Sequence, residues 1–112
     1  MARDIAAITG YHAHIYYDEA TRDKAAAVRE GLAARFAVEL GRWRDQPVGP
    51  HSAAMYQVAF APGEAARLIP WLMLNHAGLS VFIHPLTGDD RADHDEYALW
   101  LGPKLPLDFD AL

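Results

Sequence analysis

Gly10-Tyr11-His12-Ala13-His14-Ile15-Tyr16-Tyr17 decides the reading of this chain. Aromatic and β-branched residues recur in it, and the pattern has a period of two, as a half-buried strand requires. Successive side chains of a strand point to opposite faces. Tyr11, Ala13, Ile15 and Tyr17 therefore share one face, and His12, His14 and Tyr16 share the other. Same-face neighbours stand roughly 6.5–7 Å apart at Cα, close enough for two imidazoles to converge on one ion.

Working outward, Asp18 can cap a helix over Glu19 to about Arg35, in which Ala25, Val28, Leu32 and Phe36 recur at helical spacing. Phe36 to Trp43 alternates like a second strand, and Gln46-Pro47-Val48-Gly49-Pro50 breaks any ladder. Ala53 to Phe60 predicts a third strand, placing Tyr56, Val58 and Phe60 on one face and Met55 and Gln57 on the other. Pro62-Gly63 leads into a helix from Glu64 to about Asn75, with a kink or restart expected at Pro70. Leu79 to Ile83 reads as a fourth strand stopped by His84-Pro85. Beyond it come Asp and Gly turns, a short Tyr97 to Leu101 segment and a Pro-rich tail. The order β-α-β-β-α-β predicts an α+β, ferredoxin-like fold: a four-stranded antiparallel sheet, two helices on one face and a C-terminal extension. The other sheet face is left to His12, His14, Tyr16, Met55 and Gln57, to be closed by the tail or a second subunit.

The chain has 112 residues, 52% of them hydrophobic and 22% charged, and this balance predicts a single domain over 1–112. Net charge is −5 and the ten basic residues are scattered, so no nucleic-acid footprint forms. With no cysteine, disulfides, thiolate zinc sites and cysteine nucleophiles are excluded. No apolar run reaches membrane-spanning length, and the first residues do not read as a signal peptide. The expectation is a cytoplasmic protein, homodimeric through its exposed apolar strips.

The histidines carry the chemical signal. His84 ends a strand predicted to run beside the first, where it can lie next to His12. His51 leads into another neighbouring strand. A sulfur-free group of imidazoles suits Fe(II), Zn, Cu, Ni or Mn and leaves positions open for substrate. His12, His14, His84 and His51 are the candidate metal ligands. His94 lies in the acidic run Asp89 to Glu96, which reads either as a solvated turn or as the source of a carboxylate ligand; its spacing is wrong for an EF-hand. His76 reads as an ordinary histidine at a helix C-terminus. Ser52 beside His51 is not a triad, because adjacent strand residues face opposite ways. There is no phosphate loop and no nucleophile elbow.

Taken together, Tyr11-His12-Ala13-His14-Ile15-Tyr16-Tyr17-Asp18, Gly49-Pro50-His51, Met55-Tyr56-Gln57-Val58, Trp71-Leu72-Met73-Leu74-Asn75, His84-Pro85 with Thr87-Gly88-Asp89, and Asp93-His94 with Trp100-Leu101-Gly102 resemble the small fungal and bacterial DOPA 4,5-dioxygenase family. The resemblance runs from about Ile8 to Pro103. It implies a ferredoxin-like fold and extradiol cleavage of a small aromatic diol, an L-DOPA-like catechol, by non-haem Fe(II) and O₂, with Zn or Ni able to occupy the site in a purified sample. It also implies that His12, His14, His51 and His84 belong to the site, with His94 a further member. His51 and His94 are then the candidate proton carriers. Ser52 and Leu86 depart from the family pattern, which has Pro after the Gly-Pro-His histidine and Asn after His-Pro. Those departures bear on the substrate more than on the chemistry. Two other readings stand beside this one: a small metal- or ligand-binding ferredoxin-like dimer without oxygenase activity, and a monooxygenase-like dimer needing only substrate and O₂.

Overall fold

The computed structural model describes residues 1–112. Its sheet has five strands, not the expected four: β1 (Gly10–Tyr17), β2 (Val38–Leu40), β3 (Ala54–Phe60), β4 (Val81–Leu86) and β5 (Leu99–Leu101). The spatial order is β2-β3-β1-β4-β5, and every neighbouring pair is antiparallel. The extra strand is the short segment after Tyr97, which pairs Trp100 with Phe82 at the free edge of β4. Helices α1 (Arg22–Arg35) and α2 (Pro62–Asn75) supply the apolar side chains that meet the sheet, and a short helix α3 (Asp90–His94) follows β4. No helix is long and apolar enough to cross a membrane.

Strand alternation divides the sheet as its sequence dictates. Ala13, Ile15 and Tyr17 of β1, Tyr56, Val58 and Phe60 of β3, and Val81 and Ile83 of β4 are buried together with Ala25, Val28 and Leu32 of α1 and Leu68 and Leu72 of α2. Burying each such aliphatic side chain contributes about 1.5–3 kcal/mol, so this layer fixes the register. A smaller cluster forms on the opposite face from Tyr16, Met55 and Phe82, with Trp100, Leu105 and Leu107 packed against it. The tail therefore covers part of the face that the helices leave open.

Several boundaries differ from expectation, each for a physical reason. Helix α1 starts at Arg22 because Asp18 and Thr21 bond reciprocally: the Thr21 N–H donates to Asp18 Oδ1 and the Asp18 N–H to Thr21 Oγ1, closing a turn first. Helix α2 runs unbroken through Pro70. The carbonyl deprived of its partner there, that of Ala66, lies on an exposed residue where water can bond it. Strand β4 continues through His84-Pro85 to Leu86. Tyr16 N–H bonds Ser80 O, so alternation makes Pro85 and Tyr11 a non-hydrogen-bonded pair. The proline nitrogen points to the other edge, where pairing with β5 has already stopped at Ile83. Strand β2 is only three residues long because a bulge follows it. Gly41 bonds Gln57 while Arg44 pairs with Met55, so one side carries one more residue than the other.

The bulge is pinned on the helix side by Trp43. Arg22 and Arg29 of α1 lie 4.1 and 5.3 Å from the indole centroid, and Tyr17 and Tyr56 meet the ring edge-on. The Tyr17 hydroxyl and Arg22 both donate to Asp45. Gly31 has a separate role, since a Cβ there would lie 2.5 Å from the Trp71 ring. Gly31→Ala gains about 1 kcal/mol of helix propensity but forces an overpacking cost of roughly 1–3 kcal/mol. The expected net result is a lower urea midpoint, and an unchanged or higher midpoint contradicts this packing account.

Candidate metal centre

The register of β1 against β4 places His12 opposite His84 on the face away from α1 and α2. His14, one pleat along, stands opposite Phe82 on one side and Gln57 on the other. The ligand nitrogens of His12, His14 and His84 lie within 4.8 Å of one another. His14 and His84 are buried, and His12 is half-buried at the edge of the group.

His51 and His94 come from elsewhere in the chain to the same place. The loop after the bulge brings the His51 ring 4.3 Å from that of His14, and α3 lays the His94 ring 4.0 Å from that of His84. All five predicted site histidines are therefore gathered, but His51 and His94 stand outside the group whose nitrogens converge. His76 does not join them; its Nδ1 bonds the Leu72 carbonyl at the end of α2. The acidic run supplies no carboxylate to the converging group. Asp93 is fully buried and accepts from the Thr87 N–H and hydroxyl, and Asp89 caps α3 at Ala92. Sequence reasoning passed over two aromatic members, Phe82 and Trp100. Their rings lie 4.7 Å apart and form an apolar wall beside His14 and Tyr16.

Hydrogen bonds set the tautomers. A carbonyl can only accept, so the bond from His84 Nδ1 to Pro85 O puts the proton on Nδ1. The lone pair of neutral His84 is then on Nε2, which faces His14 Nε2 at 3.2 Å. His94 Nδ1–H likewise donates to Asp90 O. His14 Nδ1 is buried with no partner. Burial holds the His14 imidazole well below its ordinary range, with His51, His84, His12 and His94 adding like-charge repulsion. Burial also pushes His84 down to about 4, against a partial rise from its bond to Pro85. His51 is likewise pushed down to about 4 by burial and then His94. His12 is lowered by the same two causes. The group is therefore neutral at pH 7, with the His84 lone pair aimed at His14 and the outer N–H of His84 anchored on a carbonyl. That is the donor set a divalent transition metal takes, and the residues fit one. His51 is held differently: its Nδ1 is hydrogen-bonded to the Tyr16 hydroxyl at 2.6 Å, and burial keeps that phenol protonated.

Against this geometry the comparisons are specific. The model of the Dopa 4,5-dioxygenase family matches residues 11–111. This chain belongs to that family. A DOPA 4,5-dioxygenase of Amanita muscaria is 33% identical over 110 residues, which cover 89% of this chain and 48% of that protein. An uncharacterised 21.2 kDa protein of Botryotinia fuckeliana is 35% identical over 111 residues, covering 88% and 60%. The chain thus spans about half the length of these family relatives. A crystal structure from Nostoc punctiforme, described as a "putative dioxygenase", superposes with a TM-score of 0.96 at 55% identity, covering 97% of this chain and 95% of that one.

Two outcomes follow from the neutral, inward-facing imidazoles. Their pKa values are lower in the folded than in the unfolded state. Above about pH 6.5 both states are deprotonated and the full stability is present. As pH falls from 6.5 towards 4, the unfolded state takes up more protons and stability is lost. Urea midpoints of the metal-free protein should fall steadily across that window, and a flat profile contradicts the burial argument. At pH 7.5, Zn(II) at a hundredfold its dissociation constant should add about 2.7 kcal/mol to stability. His12→Ala, at the accessible edge of the group, should sharply reduce this gain.

Proposed function

We propose that this chain is an extradiol ring-cleaving dioxygenase that opens a catechol with non-haem Fe(II) and O₂. The observation that carries the reading is the convergence of three neutral imidazoles, His12, His14 and His84, with two further histidines in ring contact with them and an aromatic wall alongside. Family membership and the dioxygenase names of its relatives support the same reaction class.

His12, His14 and His84 would hold the ion. Fe(II) held there would supply Lewis acidity and a template for the substrate and O₂. The remaining steps belong to the chain. We assign His51 as the base: in the tautomer whose Nδ1–H donates to the Tyr16 oxygen, the Nε2 lone pair is free to take one catechol hydroxyl proton. The Tyr16 oxygen then steadies the imidazolium, and His51 returns the proton as the ring opens. His94, fixed by Asp90 O and lying on His84, is the second proton carrier on the opposite side of the group. Phe82 and Trp100 exclude water from the apolar side and offer a surface for a planar ring. Both atoms of O₂ enter the product, a ring-opened semialdehyde carrying a new carboxylate.

The test is O₂ uptake with a yellow product when Fe(II)-loaded protein meets catechols in air. His51→Ala should bind iron with little change and lose roughly 10²–10⁴-fold in kcat, whereas His14→Ala should lose iron itself. Iron retained at the three histidines with no O₂ uptake on any catechol would remove the dioxygenase reading and leave a metal-binding protein. Equal loss of iron in both variants would make His51 a ligand instead of the base.

A further inference from the structure

The bulge after β2 has a chemical consequence. Gly41 lies against Gln57, which is the residue opposite His14, and the extra residue turns Arg44 onto the same face as Met55. Arg42, Arg44, Gln57, Met55 and His51 line a cavity of about 280 Å³ there. His51 is the shared wall: one side meets the cavity, and its ring meets that of His14. The hollow thus lies on the β3 side of the histidine group, with His51 between the two. Gly41 keeps the floor clear, since a Cβ at that position would crowd the Gln57 carbonyl at 3.3 Å.

The charge at this hollow is unspent. The chain has a net charge of −5, yet two guanidinium groups sit together at the rim. Neither belongs to either ion pair of the protein, Arg22–Asp45 and Arg67–Glu64. Of the flanking carboxylates, Asp45 accepts from Tyr17 and Arg22, and Glu39 lines the adjoining depression, so the His51 end is the cationic one. The six other arginines, Arg3, Arg22, Arg29, Arg35, Arg67 and Arg91, all lie over aromatic rings. Arg42 and Arg44 have no such contact.

We propose that Arg42 and Arg44 make this cavity the receptor for an anionic side chain of the aromatic substrate, pairing with a carboxylate one short linker away from the diol ring. The assignment rests on the ring-cleavage reading for the position of the ring, and it makes these two arginines specificity-determining residues. Guanidinium presents a planar fork of donors that matches a carboxylate in two-point contact, and the half-enclosed hollow screens the pair less than open water does.

The experiment compares 3-(3,4-dihydroxyphenyl)propionate with 4-ethylcatechol, which lacks the carboxylate. For Fe(II)-loaded wild-type protein, kcat/KM should favour the carboxylate compound at least about tenfold, the scale of one charge-assisted contact. In the Arg42→Gln/Arg44→Gln double variant the ratio should fall to about one, and Arg42→Lys/Arg44→Lys, which keeps the charge but not the fork, should retain only part of it. The ratio cancels any general loss of activity, and it should shrink as salt rises. The same two compounds are titrated into Zn(II)-loaded protein without O₂ to give a ratio of dissociation constants. Turnover of neither compound, with a preserved binding preference that the double variant abolishes, supports the carboxylate site while the ring-cleavage reading fails. Equal binding of the two compounds by wild-type protein, or a preference that survives in the double variant, overturns the carboxylate site whatever the activity.

Discussion

Everything at the metal centre depends on one register: β1 lies between β3 and β4 with His12 opposite His84 and His14 opposite Gln57. A slip of one residue on β1 would turn His12 and His14 into the layer beneath the helices and expose Ala13 and Ile15. What forbids the slip is not the site. Ala13, Ile15, Val58, Val81 and Ile83 are each 0–2% exposed, and each aliphatic member is worth roughly 1.5–3 kcal/mol when buried. The apolar face thus positions the imidazoles on the opposite one. The site takes its geometry from a hydrophobic layer that touches no ligand.

That geometry is unfavourable in itself. One ring nitrogen of His14 is buried with no partner, and a proton taken up by His14 would be repelled by any charge on His51, His84, His12 or His94. Packing at such density offers nothing to the fold that an aliphatic residue would not offer better. Local conflict of this kind is what a ligand-binding site looks like inside an otherwise consistent structure. Tyr16 and Pro85 reduce it by fixing the outer nitrogens of His51 and His84.

The period-two alternation of β1 and the β-α-β-β-α-β order were legible in the sequence because they are local patterns. They suffice to place His12, His14, Tyr16, Met55 and Gln57 on one face and to bring His84 beside His12. The fifth strand was not legible as a strand. Leu99–Leu101 is three residues long, and its place is set by the free edge of β4, which lies well back along the chain. Pro85 read as a stop because its tolerance depends on where β5 ends. The bulge at Arg42–Trp43 broke an alternation that continued on paper through Trp43. Its cause is Trp43 settling between arginines of α1, a contact across about 20 residues that no window of sequence contains. His94 read as a weaker candidate because its neighbours are acidic, yet those neighbours are spent elsewhere: Asp89 caps α3, and the buried Asp93 accepts from Thr87.

The placement of His51 shows how a loop without regular structure can hold a side chain still. Its start is anchored on the helix side, where Arg22 and Arg29 flank Trp43 and Asp45 accepts from Tyr17. Its end is anchored on the open side, where His51 bridges Leu107 and the Asp108 N–H donates to Pro50 O. Between these points Gly49 takes a positive φ of 57°, which lets the chain turn back. The open face is thereby divided in two. The β5 and tail side is packed with Trp100, Leu105 and Leu107, and the β2 side is left hollow with Arg42 and Arg44 at its rim. The histidine group therefore has apolar cover on one flank and cationic space on the other. That asymmetry arises from a short edge strand, a bulge and a tail, not from the sheet they decorate, so changes in those three segments can reshape the flanks while the histidine geometry persists.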